Sequence, residues 1–397
     1  MIVTPKTRGF ICTTAHPVGC RENVRRQAEY AKEHCAAHGP KRVLVLGAST
    51  GYGLSSRIAA AFGWGASTLG VIFDKPASGS RTASAGWYNT AAFEDYAAQA
   101  GLYAKTINGD AFSTQVKEEA IALIRRDLGQ VDLVIYSLAA PRRTTADGTT
   151  YSSVLKTVGE PYTNKTVDLK TGRVEEVTVT PATQEEIDAT VKVMGGEDWL
   201  DWMHALQRGG VLAPGAQTVA YSYIGPELTH AIYKDGSIGM AKQHLHRTAR
   251  RIGEELPGIQ GFISVNKALV TQSSAAIPVV PLYISLLYRV MKQKGLHEGC
   301  IEQMCRLFGE KLYGENGAVT DEEGFVRLDD WEMRADVQQE VAALWEQIDS
   351  DNVKHLADVD GYWQDFYQMF GFHLAGVDYE QDVDIVVDIP SLVCPQQ

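Results

Sequence analysis

Two tyrosines and a lysine with the chemistry for proton transfer lie in the stretch Tyr221–Lys242. Tyr223 ends the alternating run 217–223, so we expect it at a strand's carboxyl end, where open α/β sheets bind ligands. Tyr233 and Lys242 are separated by eight residues, and an unbroken helix would place them on opposite faces. If they meet, the phenol can donate a proton or bind a developing oxyanion, and the ammonium favours the phenolate.

The segment 235–237 permits such a meeting. Its glycine interrupts the run, and Ser237 is predicted to cap a helix that begins near Ile238 and carries Lys242 in its first turns. Tyr233 would then lie in the preceding loop, free to lean over the lysine. The same spacing also fits two ordinary polar residues that flank a helix start.

A glycine-rich turn early in the chain has the residues to bind a dinucleotide. The apolar run Lys41–Gly47 predicts a parallel strand buried on both faces, and an Ala-rich helical stretch to Phe62 follows the turn. Glycines there let the backbone approach a pyrophosphate, whose charge the helix N-terminus stabilises. A plain strand-to-helix turn is the alternative, but the flanking strand and helix favour a cofactor. The residues of this turn are Gly47, Ala48, Ser49, Thr50, Gly51 and Tyr52.

The second predicted strand, 68–74, indicates which dinucleotide is bound. It ends in Asp74, about twenty residues past the last glycine, where a carboxylate hydrogen-bonds the adenosine ribose. This carboxylate would repel the 2′-phosphate of NADPH, so the sequence predicts NADH. Lys75 and Arg81 are close enough in sequence to leave NADPH open.

Four strand–helix units in succession predict a doubly wound parallel sheet of the Rossmann type. The third strand, 102–112, contains Asp110, which could face the adenine, cap the next helix, or both. The fourth strand, 131–140, ends in small residues against which a cofactor can lie. A sixth strand, 261–272, is expected to end where the nicotinamide lies.

We expect one elaborated domain over residues 1–397, with an inserted region and a helical C-terminal extension. A polar insertion should contain a hairpin around 168–173, and a short Ile-Val-Val run in the tail could add an edge strand. The predicted divisions are an N-terminal arm and helix (1–40, with the helix from Cys20 to His38), a dinucleotide-binding half (41–143), the insertion near the active site (144–210), a catalytic half that ends in an apolar helix (211–297) and the extension (298–397).

Composition excludes several classes of protein. The net charge of −12 argues against a nucleic-acid or anionic-membrane surface. The six cysteines have neither a CxxC pair nor accompanying His spacing, so we expect no metal and no disulfides, as suits a reducing cytoplasm. The first residues lack the apolar core of a signal peptide, and the apolar segment 275–291 is short for a membrane span and contains two prolines. We therefore predict a cytoplasmic protein without membrane insertion.

Seven motifs together resemble the long-chain NADH-dependent trans-2-enoyl reductases, which act on enoyl-CoA or enoyl-acyl-carrier-protein. The likeness covers nearly the whole chain, and its eight-residue Tyr–Lys spacer differs from the shorter spacers of ordinary short-chain dehydrogenases and the shorter enoyl reductases. The motifs are the opening Arg8–Cys20 run, the Gly47–Gly53 turn, Gly86-Trp-Tyr-Asn, Gly109–Ser113, Tyr136–Pro141, the Tyr233–Lys242 pair and the Leu269–Pro278 run.

The resemblance implies a role for each matching residue. Tyr233 would be the proton donor, Tyr223 would contact the substrate, and Lys242 would bind the cofactor. Family members are usually monomeric bacterial enzymes. Many relatives have Glu at the position of Asp74. The aspartate keeps the negative charge but has a shorter side chain. The resemblance assigns NADH to Gly47 through Tyr52, Phe73, Asp74, Asp110, Ala111, Leu138, Ala139, Leu269, Val270 and Thr271.

Residue chemistry alone does not decide which tyrosine delivers the proton, and the resemblance favours Tyr233. A ketoacyl or alcohol dehydrogenase of the short-chain type is the alternative enzyme, although such enzymes have fewer residues between the Tyr and the Lys. A nucleotide-sensing binding protein would keep the glycine turn without the Tyr–Lys pair. We also expect the segment Ile277–Met291 to form a helix that walls the acyl pocket, with Ile277, Pro281, Ile284 and Leu287 or Tyr288 on its lining face.

Overall fold

The computed structural model describes residues 1–8, 11–35, 38–272 and 274–395, and leaves the side chain of residue 276 undescribed. Residues 9, 10 and 273, which belong to two of the resemblance motifs, lie outside the described residues.

The largest sheet has eight strands, and every neighbouring pair is parallel. In order across the sheet, the strands are Phe325–Arg327, Gln260–Val265, Leu212–Ser222, Val131–Tyr136, Arg42–Leu46, Ser67–Ile72, Ala104–Asn108 and Leu392–Val393.

Chain order reverses between two neighbouring strands, Arg42–Leu46 and Val131–Tyr136. The chain runs outward in one direction from the first and in the other direction from the second. Such a reversal leaves a crevice at the carboxyl ends of the two strands, where doubly wound folds bind ligands. The predicted doubly wound Rossmann-type sheet is confirmed.

The continuous apolar strands are buried because helices cover both faces of the sheet. In Arg42–Leu46, Val43 and Val45 belong to one apolar core, while Leu44 and Leu46 belong to the other. None of the four is exposed. Alternation of side chains across a strand thus divides the protein interior into two cores.

Helices account for most of the remaining ordered chain. No helix in the described ranges is long and apolar enough to cross a membrane. The α-helices are Pro17–His34, Gly51–Ile58, Ala85–Gln99, Thr114–Leu123, Gln184–Met194, Glu197–Arg208, Glu227–His230, Ser237–Glu255, Val280–Gln293, Cys300–Arg306, Ala335–Gln347, Val353–Leu356 and Val359–Gln368. Shorter π-helical and 3₁₀ turns occupy Ala59–Gly63, Ile124–Leu128, Ser274–Ala276 and Leu307–Leu312.

The inserted region contains the predicted hairpin. Tyr162–Asp168 pairs antiparallel with Arg173–Val179, and a smaller hairpin, Arg142–Thr144 with Thr150–Ser152, precedes it. At the N-terminus, Thr7–Arg8 pairs with Ile11–Cys12.

The predicted sixth strand is too long at its carboxyl end. The strand stops at Val265, and Leu269 to Thr271 lie in a loop. Side chains replace strand partners there: the backbone N–H of Lys267 donates to Gln303 Oε1 (2.9 Å), and that of Ala268 donates to Glu332 Oε2 (2.7 Å). Satisfied in this way, the backbone can leave the sheet without losing its hydrogen bonds.

The predicted ends of two helices are also wrong. Gly236, rather than Ser237, is the N-cap of the helix Ser237–Glu255, because the Ser237 hydroxyl donates to the backbone oxygen of Val154 in the insertion (2.6 Å). The N-terminal helix begins at Pro17, where His16 Nδ1 accepts from the N–H of Gly19, and ends at His34. Residues 36 and 37 of its predicted end lie outside the described residues.

The tail adds an edge strand at a different place from the predicted one. Leu392–Val393 pairs with Ala104–Asn108, whereas the Ile385-Val-Val run forms no strand. The backbone oxygens of Ile385 and Val387 instead accept from Tyr88 Oη (2.7 Å) and Trp87 Nε1 (2.6 Å). These carbonyls bind helix side chains, so they are not available to a strand.

Candidate active site

A cavity of about 930 Å³ opens at the carboxyl edge of the sheet, next to the reversal of strand order. Most of the predicted site residues line it, although they come from segments far apart in sequence. They are Gly47, Ser49, Thr50, Gly51, Tyr52, Phe73, Asp74, Ala111, Leu138, Ala139, Tyr223, Tyr233, Lys242, Leu269, Val270 and Thr271.

Ala48 and Asp110 are the two predicted residues that do not line the cavity. Ala48 is fully buried, and its N–H donates to the backbone oxygen of Val71 (3.0 Å). The Asp110 carboxylate accepts from the N–H of Phe112 (2.9 Å), while the next helix is capped by Ser113. Asp110 therefore stabilises the turn after its strand.

The glycine turn has the close packing that a dinucleotide cradle requires. Gly47 has φ +83°, and a Cβ there would lie 2.1 Å from the backbone oxygen of Ser137. A Cβ on Gly53 would lie 1.9 Å from Gly47 O. At Gly51 (φ +53°) a Cβ would meet nothing within 4 Å. The turn thus packs tightly against the protein, and the helix N-terminus that follows is open to an anionic ligand.

Asp74 is held at the far side of this turn. Ser84 Oγ donates to its carboxylate (2.7 Å), and the Asn108 side chain binds its backbone N–H and oxygen (2.9 and 3.0 Å). A Cβ on Gly86 would lie 2.4 Å from the carboxylate, so a larger residue there would displace the Asp74 side chain. Burial raises the pKa of Asp74, and hydrogen bonds from Ser49 and Ser84 oppose the rise.

Tyr223 and Tyr233 meet edge to face, with ring centroids 5.0 Å apart and planes at 78°. Tyr223 follows the strand Leu212–Ser222, and Tyr233 lies in the loop after the short helix Glu227–His230. Its backbone N–H donates to Thr229 O (3.0 Å), which folds the loop back over the sheet edge. The Tyr233 hydroxyl has no hydrogen-bond partner among the described residues, and burial raises its pKa to about 12.

Lys242 lies in the second turn of the helix Ser237–Glu255, on the same cavity. Its Nζ donates to the backbone oxygen of Tyr221 (2.9 Å), which ties the helix to the strand beside it. Burial lowers the pKa of Lys242 to about 8. The helix break at Gly236 therefore brings both members of the Tyr–Lys pair to one cavity.

Sequence reasoning missed several polar residues of this cavity or of its wall. Lys267 and Asn266 follow the strand Gln260–Val265, Asn89 lies on the helix Ala85–Gln99, and Glu332 contacts the cavity wall from the C-terminal region. Of these residues, only Asn89 falls in a sequence motif, Gly86-Trp-Tyr-Asn, and that motif assigned no role to it. The available signal for Asn266 and Lys267 was a polar pair inside the predicted strand 261–272, whereas Glu332 had none.

The fold and this cavity define a dinucleotide-dependent oxidoreductase of the doubly wound class. Family models match the chain over residues 2–79 ("NAD(P)H binding domain of trans-2-enoyl-CoA reductase"), 81–313 ("Trans-2-enoyl-CoA reductase catalytic region") and 320–383 ("Enoyl reductase FAD binding domain"). The chain belongs to the trans-2-enoyl-CoA reductase family.

Relatives and solved structures agree with this assignment over the full length. An enoyl-[acyl-carrier-protein] reductase [NADH] of Coxiella burnetii is 59% identical, with 99% of this chain and 98% of that protein covered. The Treponema denticola trans-2-enoyl-CoA reductase in complex with NAD is 50% identical, with a TM-score of 0.95 over 98% of this chain and 99% of that one. The Clostridium acetobutulicum enzyme in complex with NADH is 44% identical, with a TM-score of 0.94 over 97% and 98%. The predicted enzyme class, an NADH-dependent enoyl reductase, is confirmed.

The residues of 320–383 do not fit a flavin, despite the description of the third family model. The strand Phe325–Arg327 is followed by acidic residues rather than a glycine turn, and the buried Asp329 pairs with Arg327 (2.7 Å). Carboxylates there would repel a pyrophosphate.

Proposed function

We propose that this protein reduces the trans-2 double bond of an enoyl thioester, carried on CoA or on acyl carrier protein, with NADH as reductant. The observation that supports this most is the convergence of the glycine turn, Asp74 and the Tyr233–Lys242 pair on one cavity. The relatives' names and bound cofactors agree. The net charge of −12 favours neither nucleic acid nor an anionic membrane as partner. We propose a cytoplasmic monomer.

NADH would be held along the carboxyl edge of the sheet. The glycine turn and helix Gly51–Ile58 would meet the pyrophosphate, and Asp74 would accept from the adenosine ribose. Leu138, Ala139 and the loop Leu269–Thr271 would pack beside the nicotinamide. When bound, NADH supplies the hydride for the β-carbon of the substrate.

Tyr233 and Lys242 would carry the remaining chemistry. As the β-carbon gains a hydride, negative charge develops on the thioester oxygen, and the Tyr233 hydroxyl would stabilise that enolate as a hydrogen-bond donor. A proton delivered to the α-carbon completes the reduction. In its charged form, Lys242 would bind the cofactor ribose. The same ammonium would lower the free energy needed to form the Tyr233 phenolate.

Loss of NADH absorbance with crotonyl-CoA tests this function. We expect turnover with crotonyl-CoA and NADH, formation of butyryl-CoA, and slow turnover with NADPH. Acetoacetyl-CoA is the control substrate, because a ketoacyl reductase of the short-chain type would reduce its carbonyl. Turnover of acetoacetyl-CoA with none of crotonyl-CoA would overturn the proposal, and NADH binding without turnover of either would indicate a binding protein.

A further inference from the structure

Glu332 is a fully buried carboxylate that binds one of the two site tyrosines. It comes from the region after the strand Phe325–Arg327 and is 0% exposed. Its Oε1 accepts from the hydroxyls of Tyr223 (3.1 Å) and Tyr283 (2.7 Å), and its Oε2 accepts from the N–H of Ala268 (2.7 Å). The buried Glu332 therefore contacts both Tyr223, the tyrosine expected to contact the substrate, and the cavity-lining loop that contains Ala268.

Three converging donors suit an ionised carboxylate, which can only accept hydrogen bonds. The Ala268 N–H can act only as a donor, and Lys267 is a buried cation close enough to lower the pKa of Glu332, although burial dominates and raises it. Tyr223 has a single hydroxyl hydrogen, and this hydrogen points to Glu332. Only the lone pairs of that hydroxyl remain for a substrate.

Tyr223 and Tyr233 therefore differ in whether the hydroxyl hydrogen is available to a substrate. Burial raises the pKa of Tyr223 well above its usual value, and the Glu332 charge adds to the rise. Burial alone raises that of Tyr233, to about 12, and its hydroxyl has no partner among the described residues. The negative charge of Glu332 thus opposes proton loss at Tyr223 and leaves Tyr233 as the donor that faces the cavity.

We infer that Glu332 is a positioning residue that binds the Tyr223 hydroxyl hydrogen, fixes the Tyr223 ring against Tyr233, and so restricts proton donation to Tyr233. The inference rests on the proposed enoyl reduction. The edge-to-face contact, with centroids 5.0 Å apart, transmits this restraint from the carboxylate to the donor ring. The C-terminal region thereby contributes to the reaction through a side chain that does not touch the substrate.

Glu332→Gln separates this role from a merely structural one. The amide oxygen can still accept from the Ala268 N–H, while the amide nitrogen now faces the two phenols. We expect kcat with crotonyl-CoA to fall about tenfold, with NADH affinity within about twofold of wild type, because only the tyrosine side of the carboxylate has changed. In a Tyr223→Phe background the same substitution should change kcat by less than about twofold.

Two further variants keep the test decisive. Tyr283→Phe removes the other phenol from the same carboxylate, and we expect a smaller loss of kcat than in Glu332→Gln, because the hydrogen bond from Tyr223 remains. Glu332→Asp keeps the charge and shortens the reach, and it replaces the Gln variant if that variant does not fold; we expect a similar loss of kcat. Equal losses with and without the Tyr223 hydroxyl, or normal kcat in a folded Asp variant, would overturn the inference. Wild-type turnover of crotonyl-CoA tests the proposed function separately.

Discussion

At the scale of single residues, the two members of the Tyr–Lys pair have opposite pKa shifts from the same cause. Burial disfavours the charged form of each group, so it raises the pKa of Tyr233 and lowers that of Lys242. Burial therefore moves the two pKa values apart, to about 12 for Tyr233 and about 8 for Lys242. The neutral phenol and the neutral amine are both favoured by the same loss of solvent.

Tyr233→Phe should abolish most turnover and spare cofactor binding. The hydroxyl is needed once charge develops on the substrate, so we expect kcat to fall by about 100-fold or more. Steady-state kinetics with crotonyl-CoA and NADH titration by fluorescence measure the two effects. Tyr313→Phe is the control, because this buried phenol does not line the cavity. Near-normal kcat in the Tyr233 variant would remove Tyr233 from the donor role.

The low pKa of Lys242 predicts a pH dependence of NADH binding. Below about pH 8 the side chain is an ammonium that can bind the ribose, and as pH rises through about 8 it loses this proton. We therefore expect the Kd for NADH to rise above pH 8, approaching about tenfold per pH unit. The Lys242→Met variant should bind weakly with no such rise. A Kd that is flat across this range in the wild-type protein would contradict the assignment.

At the scale of elements, the end of the strand Ser67–Ile72 and the start of the helix Ala85–Gln99 set the cofactor preference together. Ser84 donates a hydrogen bond to the Asp74 carboxylate, and Gly86 leaves room for it. In Asp74→Ser we expect the preference to move from NADH towards NADPH, because the repulsive charge is gone and the exposed Lys75 and Arg81 become available to the phosphate.

The ratio of kcat/KM for NADPH to that for NADH measures this change. Asp110→Ser is a matched control, because the Asp110 carboxylate binds the Phe112 N–H and does not line the cavity. A wild-type protein that already uses both cofactors equally would show that Asp74 does not select between them.

The helix Val280–Gln293 walls one side of the cavity. Ile277, Val280, Ile284 and Tyr288 line it, whereas Pro281 and Leu287 do not. Ile284→Ala should raise kcat/KM for longer enoyl chains relative to crotonyl-CoA, since each buried methylene contributes about 0.8 kcal/mol where room exists.

Leu287→Ala provides the comparison for this helix. Leu287 is as fully buried as Ile284 and lies on the same helix, so both variants lose packing, with a cost of about 2–5 kcal/mol in stability. Only the Ile284 variant should change the chain-length profile. Equal profiles in the two variants would place the acyl pocket elsewhere.

At the scale of the whole molecule, the tail completes the sheet that the N-terminal half begins. The strand Leu392–Val393 is the last of the eight, and the buried Glu94 accepts from Ser391 through its N–H (3.0 Å) and hydroxyl (2.8 Å). We propose that residues 1–397 fold as one unit for this reason.

Removal of residues 388–397 should destabilise the protein. The Glu94 carboxylate would lose both donors from Ser391 and keep only the Thr106 hydroxyl, and a buried polar group that loses a partner costs about 1–3 kcal/mol. Denaturant unfolding measures the loss. Val386→Ala is the control, because this side chain is 66% exposed and such changes stay within about 0.5 kcal/mol. Unchanged stability after truncation would show that the tail is an appendage.

The sequence by itself determined the parts of this protein that depend on local pattern. The apolar run 41–47 and the glycine residues after it predicted the buried strand and the tight turn, because buried parallel strands and tight turns restrict residue type at each position. The resemblance added the family. The acid at position 74 as ribose partner and the roles of Tyr233 and Lys242 stay predictions. A helix break at Gly236 was enough to predict that these two residues could meet.

Only the tertiary structure decided which distant groups surround those residues. Glu332 reaches Tyr223 across 109 positions of sequence, and no local periodicity encodes such a contact. The same carboxylate ended the strand Gln260–Val265 early, because a side chain took the hydrogen bond that a neighbouring strand would have taken. Buried polar groups must find partners wherever the fold brings them together, and that requirement is met in three dimensions rather than along the chain.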